Sequence, residues 1–393
     1  MEKIRVLIIM GMYLPGSLSG GPITSVKNLV DCLYDKFDFY ILTADRESRQ
    51  SVPYNNINYD IWNQVGHAKV FYTKWGKFTL KLISRLAQET DIVYVCGCYN
   101  DYAVNAMILN KIRLLKKPLV IAPMGIFSEG ALKIHFLKKI VFLKLFLMMG
   151  MFKKIIWSVT SLYELEDLDR IITHTDKVVY IAEDITGEVK NKCIYKKKEK
   201  GNCKVAWLSR ITPKKNLLGT IEALSQVRTT IEFNIYGPVC DEKYWSRCVQ
   251  ALEKLPANIV WNYYGSVSSE NVINVLERNH IFVLQTLGEN YGHVIIEALS
   301  AGCPCIISDS TPWKSLEESG IGFVYSSNNL EGVAKAIEYY SDVDEDSFNT
   351  IASMCIGFAV NVSQENRESL GYTKLFESAV NGYDNAVKRC TGD

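Results

Sequence analysis

Short unbroken apolar runs, each leading through a glycine-bearing loop into a helical pattern, recur along this chain and limit its fold more than any other feature. Ile4 to Met10 is the first such run. Apolar residues at every position, rather than at alternate ones, are what a parallel strand covered on both faces requires. The loop Gly11 to Gly21 follows, and then a helical pattern carrying Val26, Leu29, Val30 and Leu33. Phe39 to Leu42, Asp91 to Val95, Leu119 to Ala122 and Val178 to Ile181 continue the strand series. The rhythm restarts after the stretch Lys190 to Lys200. Val205 to Leu208, Glu232 to Tyr236, Asn258 to Trp261, Ile281 to Leu284 and Cys305 to Ile307 then read as strands. Helical patterns at Leu217 to Leu224, Glu242 to Leu252, Asn271 to Leu276 and His293 to Leu299 separate them. Two runs of βα units split by a polar stretch predict two doubly wound α/β lobes facing each other. Ligands of such sheets sit beyond the carboxyl ends of the strands, so the loops there hold the candidate sites.

Lys190 to Lys200 carries six Lys and reads as a solvated linker. It divides the chain into a first lobe, residues 1–190, and a second, residues 201–365. The 393 residues suffice for two such domains, and a 48% hydrophobic content supplies their cores. With 44 Lys and Arg against 43 Asp and Glu, the balance excludes a surface built wholly to grip nucleic acid. Eleven Cys scattered through apolar stretches read as reduced, buried thiols of a cytoplasmic protein. None has the C-x-x-C spacing of a zinc knuckle, and no metal is expected. The opening residues Met1 to Met10 are too short and wrongly ordered for a signal peptide and read as a buried strand.

Leu132 to Thr160 departs from the pattern. It has no acidic residue and six Lys, at 133, 138, 139, 144, 153 and 154, set among Phe, Met, Leu and Ile. Its longest uncharged run, Leu145 to Phe152, is eight residues, well short of the roughly 20 that span a bilayer. A basic, strongly apolar helical pair can instead lie on an anionic leaflet. The plainer reading is a helix covering the sheet, with lysines along its wet edge.

Four segments at strand ends carry candidate chemistry. In Leu287-Gly-Glu-Asn-Tyr-Gly-His293 a helix should start near Gly292, where unpaired amides can hold a phosphate or a hydroxyl-rich ligand. Glu289 precedes that helix and Glu297 lies within it. Both can accept charge-assisted hydrogen bonds from sugar hydroxyls. Equally, Glu289 can be an acid favoured by the helix dipole and Glu297 a solvated residue. In Trp207-Leu-Ser-Arg-Ile-Thr-Pro-Lys-Lys-Asn216, Arg210 and Lys215 flank a Pro-containing turn, a guanidinium fork and an ammonium suited to a diphosphate. Ser19-Gly20-Gly21-Pro22 lets backbone approach a ligand closely, with the Gly21 amide free to face a phosphate. It is neither a dinucleotide fingerprint nor a P-loop. Pro123-Met-Gly-Ile-Phe127 is a second mouth of the first lobe, where Met124, Gly125 and Phe127 form a candidate acceptor-side surface. The five His are scattered and form no nucleophile triad.

Taken together, these segments resemble the retaining, nucleotide-sugar-dependent glycosyltransferases of family four, which have the GT-B fold, and among them the bacterial members that build surface polysaccharides. The likeness runs from the Gly20-Gly21 loop to the E-x7-E motif Glu289 to Glu297, followed by Ala298-Leu-Ser-Ala-Gly-Cys-Pro304. It implies that Glu289 contacts donor-sugar hydroxyls and Glu297 the ribose. Arg210 and Lys215 would neutralise the donor diphosphate and assist its departure, and Gly21 would approach the same diphosphate. Asn290, Tyr291 and Gly292 would present amides to the sugar and phosphate. The resemblance also implies that no metal or cofactor is needed, and that a final helix, within residues 366–393, crosses back to the first lobe. Two positions depart from the family. Met124 stands where relatives have His or Arg, and Tyr180 to Ile185 stands where relatives often have Pro-Asn-Gly.

The expected function is transfer of a sugar from a UDP- or GDP-sugar to a glycan or lipid-linked oligosaccharide, with retention, in lipopolysaccharide or capsule assembly. The expected location is cytoplasmic, peripheral on the inner face of the plasma membrane. A phosphorylase or epimerase-like activity on the same scaffold, or a catalytically silent carbohydrate-binding relative, are the alternatives.

Overall fold

The computed structural model describes residues 2–16, 20–48, 50–133, 136–173 and 177–390; of residues 129, 133 and 383–390 it describes the backbone alone. The chain divides into two compact units, Met1–Ile185 with Asn366–Asp393, and Thr186–Glu365. Each is an α/β layer structure on its own sheet.

The first sheet has eight strands: β1 (Ile4–Ile9), β2 (Phe37–Ala44), β3 (Trp62–Val65), β4 (Ala68–Thr73), β5 (Ile92–Cys96), β6 (Leu119–Ala122), β7 (Ile155–Val159) and β8 (Val178–Ile181). Their order is β3-β4-β2-β1-β5-β6-β7-β8, and all pairings are parallel except β3 with β4. Chain order therefore reverses between β1 and β5. Val6, Leu7, Ile8 and Ile9 of β1 are wholly buried, as a strand covered on both faces must be. One face packs Leu7 and Ile9 with Trp157 and Met107; the other packs Val6 and Ile8 with Phe39 and Tyr94. The terminal helix Gly371–Cys390 joins the second face, setting Phe376 edge-on to Phe37 and Tyr94.

The second sheet comprises β9 (Asn202–Leu208), β10 (Thr230–Tyr236), β11 (Ile259–Tyr263), β12 (Ile281–Leu284), β13 (Cys305–Ser308) and β14 (Gly322–Tyr325). All are parallel, in the order β11-β10-β9-β12-β13-β14. Counted from β9, this is the 3-2-1-4-5-6 order of a doubly wound sheet, with its reversal between β9 and β12. The helices Leu217–Leu224 and Glu242–Leu252 cover it where the sequence pattern places them.

Two expectations are corrected. The stretch Lys190 to Lys200 is not a solvated linker throughout, because Lys196 and Lys198 are each only 4% exposed. The Lys196 ammonium donates to the carbonyls of Leu276, Glu277 and Asn279, at and just beyond the C-terminus of the helix Val272–Glu277, where a cation is favoured by unpaired carbonyls. Lys198 donates to the Ser341 carbonyl at 2.7 Å. Secondly, Leu132 to Thr160 is not a helical pair, since its last residues, Ile155–Val159, form β7 in the interior of the sheet. β-branched Ile155, Ile156 and Val159 favour that strand, and burial of Trp157 anchors it. The segment Tyr180 to Ile185, which departs from the family pattern, is held in place by side-chain hydrogen bonds. Asp184 is buried and accepts from Ser25 Oγ at 3.0 Å, while Asn28 Nδ2 donates to the Ile185 carbonyl at 2.9 Å.

Candidate active site

In the second unit the candidate residues gather at the reversal between β9 and β12. The chain leaves β9 through Ser209, Arg210 and Ile211, and parallel bonding to the loop after β10 fixes this exit. Ser209 N donates to the Tyr236 carbonyl at 3.1 Å and Ile211 N to the Pro238 carbonyl at 2.9 Å. Gly237 permits that approach: its φ is +130°, and a Cβ there would stand 1.8 Å from the Ser209 carbonyl oxygen. In the sequence the signal is Gly237-Pro238 directly after a strand, a pairing that carries no ligand-binding motif of its own. Arg210 is exposed at the head of this turn. A short 3₁₀ turn, Pro213–Lys215, follows and ends at Asn216 in the left-handed conformation, φ 53°. Asn216 Oδ1 then caps Leu217–Leu224 by accepting from Gly219 N. The sharp turn aims Lys215 back over the strand ends.

The loop after β12 is pinned from three sides. Leu287 N donates to the Lys214 carbonyl at 2.8 Å, Glu289 N to the Ser310 carbonyl at 2.9 Å, and Trp313 Nε1 to the Tyr291 carbonyl at 2.6 Å. The Tyr291 ring meets Trp313 edge-on, with centroids 5.3 Å apart. These bonds lay the Glu289 loop beside the Lys215 turn, and the Lys215 ammonium pairs with Glu289 Oε2. Asn290 is half-buried in the same loop. Gly292, at φ 83°, turns the chain into the helix His293–Ser300, which has no side-chain cap. The N-terminus of that helix, with its partial positive charge, faces the same loop.

Glu297 lies one turn inside that helix. Part of its surface reaches solvent, yet protein atoms crowd the carboxyl, and this desolvation pushes its pKa up to about 7. Burial holds His293 neutral, with its pKa pulled down to about 4. Among the described residues no group of three or more His, Cys, Asp and Glu is placed to hold a metal ion.

The first unit carries its own cavity, of about 390 Å³, at the carboxyl ends of β1 and β5. Met10 and Gly11 form its floor together with Cys96 and Gly97, and Trp75, Asn100, Asp101 and Met124 stand among its walls. Tyr102 braces the floor, its hydroxyl donating to the Cys96 carbonyl at 2.9 Å. Glu164 fixes the Met124 turn by accepting from Gly125 N at 2.5 Å and from Thr160 N at 2.8 Å. Met124 itself sits at φ 55° and packs apolar surface into the cavity. Of the acceptor-side candidates, Met124 lines the cavity, Gly125 is spent on Glu164, and Phe127 lies in the core beside Tyr99 and Trp157. Gly21 is exposed as the first residue of the helix Gly21–Leu33, also in this unit; Ser19 lies outside the described residues. Trp75, Asn100 and Asp101 carry no motif, because two loops far apart in sequence, after β4 and after β5, bring them together.

The fold is therefore that of the GT-B glycosyltransferases, two α/β units each with a ligand-sized opening or a charged cluster at its strand reversal. Residues 192–350 match the family model of glycosyl transferases group 1. Among solved structures, the chain is similar to Anabaena HepE in complex with UDP and glucose, at 16% identity and a TM-score of 0.64, covering 93% of this chain and 99% of that one. It is likewise similar to a trehalose-phosphate synthase from Burkholderia xenovorans in complex with glucose-6-phosphate, at 10% identity and a TM-score of 0.67, covering 95% and 99%. A third is WaaG, a glycosyltransferase involved in lipopolysaccharide biosynthesis, at 10% identity and a TM-score of 0.63, covering 95% and 98%. No curated protein sequence matches the chain.

Proposed function

We propose that this protein is a retaining glycosyltransferase that moves a sugar from a UDP- or GDP-sugar to a glycan or lipid-linked oligosaccharide in surface polysaccharide assembly. The observation that carries the reading is the meeting of Lys215 and Glu289 at the strand reversal of the second unit. A nucleotide-sugar offers one partner to each, its diphosphate to the ammonium and a sugar hydroxyl to the carboxylate. Arg210, exposed on the same turn, supplies a second cation to the diphosphate as charge develops on the leaving group. Glu297 accepts from the ribose hydroxyls, and the N-terminus of the helix His293–Ser300 adds dipolar stabilisation. This set performs the transfer without a metal ion. The family match over residues 192–350 and the UDP bound to HepE support the same donor class.

Peripheral attachment to the cytoplasmic membrane face is part of the proposal. The helix Phe136–Met148 buries Leu143 and Phe146 but exposes Leu137, Val141, Leu145 and Met148, with Lys138 and Lys144 among them. An apolar face edged with lysines suits an anionic leaflet. Lys139 is not part of that edge, because its ammonium donates to the Ala131 carbonyl at 2.5 Å and lies 5.5 Å from the Tyr99 ring centroid. Among the described residues no helix is long and apolar enough to cross a membrane.

The test is incubation of the full chain with a panel of UDP- and GDP-sugars and lipid-linked glycan acceptors. Transfer with net retention supports the reading, and absence of both donor binding and transfer across the panel overturns it.

A further inference from the structure

We infer that the sugar unit received by the cavity of the first unit is uncharged, a neutral glycan terminus and not a sugar phosphate. The inference rests on the proposed glycosyl transfer and narrows its acceptor. Among the described residues lining the cavity there is no Lys, Arg or His, and the one acidic side chain is Asp101. A phosphate seated there would meet a carboxylate with no compensating cation among the described lining residues, and like charges in one site are a strong device for rejecting a ligand.

The other walls agree with this. Met10, Met12, Met124, Phe78 and Ile126 give apolar surface, and Trp75 stands 43% exposed at the opening. An indole face left in water beside a cavity suits the apolar face of a pyranose ring, while Ser48, Asn100 and Asp101 supply polar groups for its hydroxyls. None of the described cations nearby in sequence lines the cavity. Arg46 is held on Asp45, through Nε at 2.8 Å and Nη2 at 2.7 Å, and on the Ser51 carbonyl. Lys74 and Lys77 are exposed on either side of Trp75-Gly76 and do not line the cavity. A phosphate elsewhere on a large acceptor can meet them, whereas the unit inside the cavity meets Asp101.

The experiment compares neutral hexosides with the matching hexose 6-phosphates, using the full chain. Saturation-transfer NMR reads binding whether or not turnover occurs, so acceptor class is decided separately from the donor reaction. Neutral hexosides should bind at least about tenfold more tightly than their phosphates. Trp75→Ala, a change at an exposed position, should weaken the neutral ligands by about fivefold or more. Asp101→Lys should narrow or reverse the preference. Equal or tighter binding of hexose phosphates, lost in Trp75→Ala, overturns the inference. So does phosphate binding that disappears in Arg49→Ala, since Arg49 follows Ser48 and lies outside the described residues. Neutral preference without transfer from any nucleotide-sugar would instead sink the proposed reaction while leaving the cavity's selectivity standing.

Discussion

Lys215 and Glu289, 74 residues apart, form an ion pair that ties the turn after β9 to the loop after β12. Their side chains are only 13% and 16% exposed, so neither charge is fully solvated. On the proposed reading, a bound nucleotide-sugar exchanges this one pair for two, phosphate on the ammonium and hydroxyl on the carboxylate. A nucleoside diphosphate takes the ammonium and leaves the carboxylate without its partner.

That asymmetry gives opposite effects for one substitution. Glu289→Gln frees Lys215 and should tighten nucleoside diphosphate binding by about three- to tenfold. The same change should lower sugar transfer on the order of 10²-fold, because a hydrogen bond aimed at the reacting sugar is weakened. Calorimetry and initial rates read the two effects, and equal weakening of both would contradict the exchange.

Glu297 sets a pH dependence. Desolvation pushes its pKa up to about 7. On the proposed reading, ribose hydroxyls donate to the carboxylate and favour its ionised form, so binding should release a proton and tighten as pH rises through about 7, levelling off above it. Glu297→Gln should flatten the profile in a fluorescence or calorimetric titration. Linkage also fixes the stability effect. The folded carboxyl holds its proton to higher pH than an unfolded one, so its contribution falls as pH rises from the ordinary carboxylate range to about 7. The Gln variant should therefore gain more in Tm at pH 8 than at pH 5.

Gly237→Ala should cost at least about 3 kcal/mol in urea unfolding, through both the positive φ and the collision with the Ser209 carbonyl. Any fraction that folds should bind nucleotide-sugars poorly, since the Arg210 turn must move. A loss below 1 kcal/mol would show that the two loops part easily.

Much of the fold could be read from local pattern, because strands buried on both faces leave unbroken apolar runs. The helices Leu217–Leu224 and Glu242–Leu252, and strands β6, β8 and β12, fall where that pattern puts them. β3 escaped because it is an edge strand with polar Asn63 and Gln64, and β7 because lysines and a helix mask its start. Lys196 shows a different limit. Its partners are carbonyls some 80 residues away, and nothing near it in sequence announces them. Charged residues of the site were visible as motifs on single loops. The cavity was not, since Trp75 and Asp101 acquire meaning only where separate loops converge.

Membrane attachment has its own signature. Exchanging Lys138 and Lys144 for Glu, with Leu137 and Met148 for Ser, should cut cosedimentation with anionic vesicles at least tenfold, at roughly 1 kcal/mol per basic residue near the surface. Lys139→Glu should disturb the Tyr99 contact instead, so it is left unchanged in this variant. Undiminished sedimentation would remove the membrane from the account.

The most direct test of the donor site is isothermal calorimetry of the full chain against UDP- and GDP-sugars, with Arg210→Ala and Lys215→Ala in parallel. One nucleotide-sugar class should bind the native protein, and each variant should lose at least about 1.5 kcal/mol, the worth of a charge-assisted hydrogen bond. Binding that survives both substitutions undiminished, or no binding of any nucleotide-sugar, would contradict it.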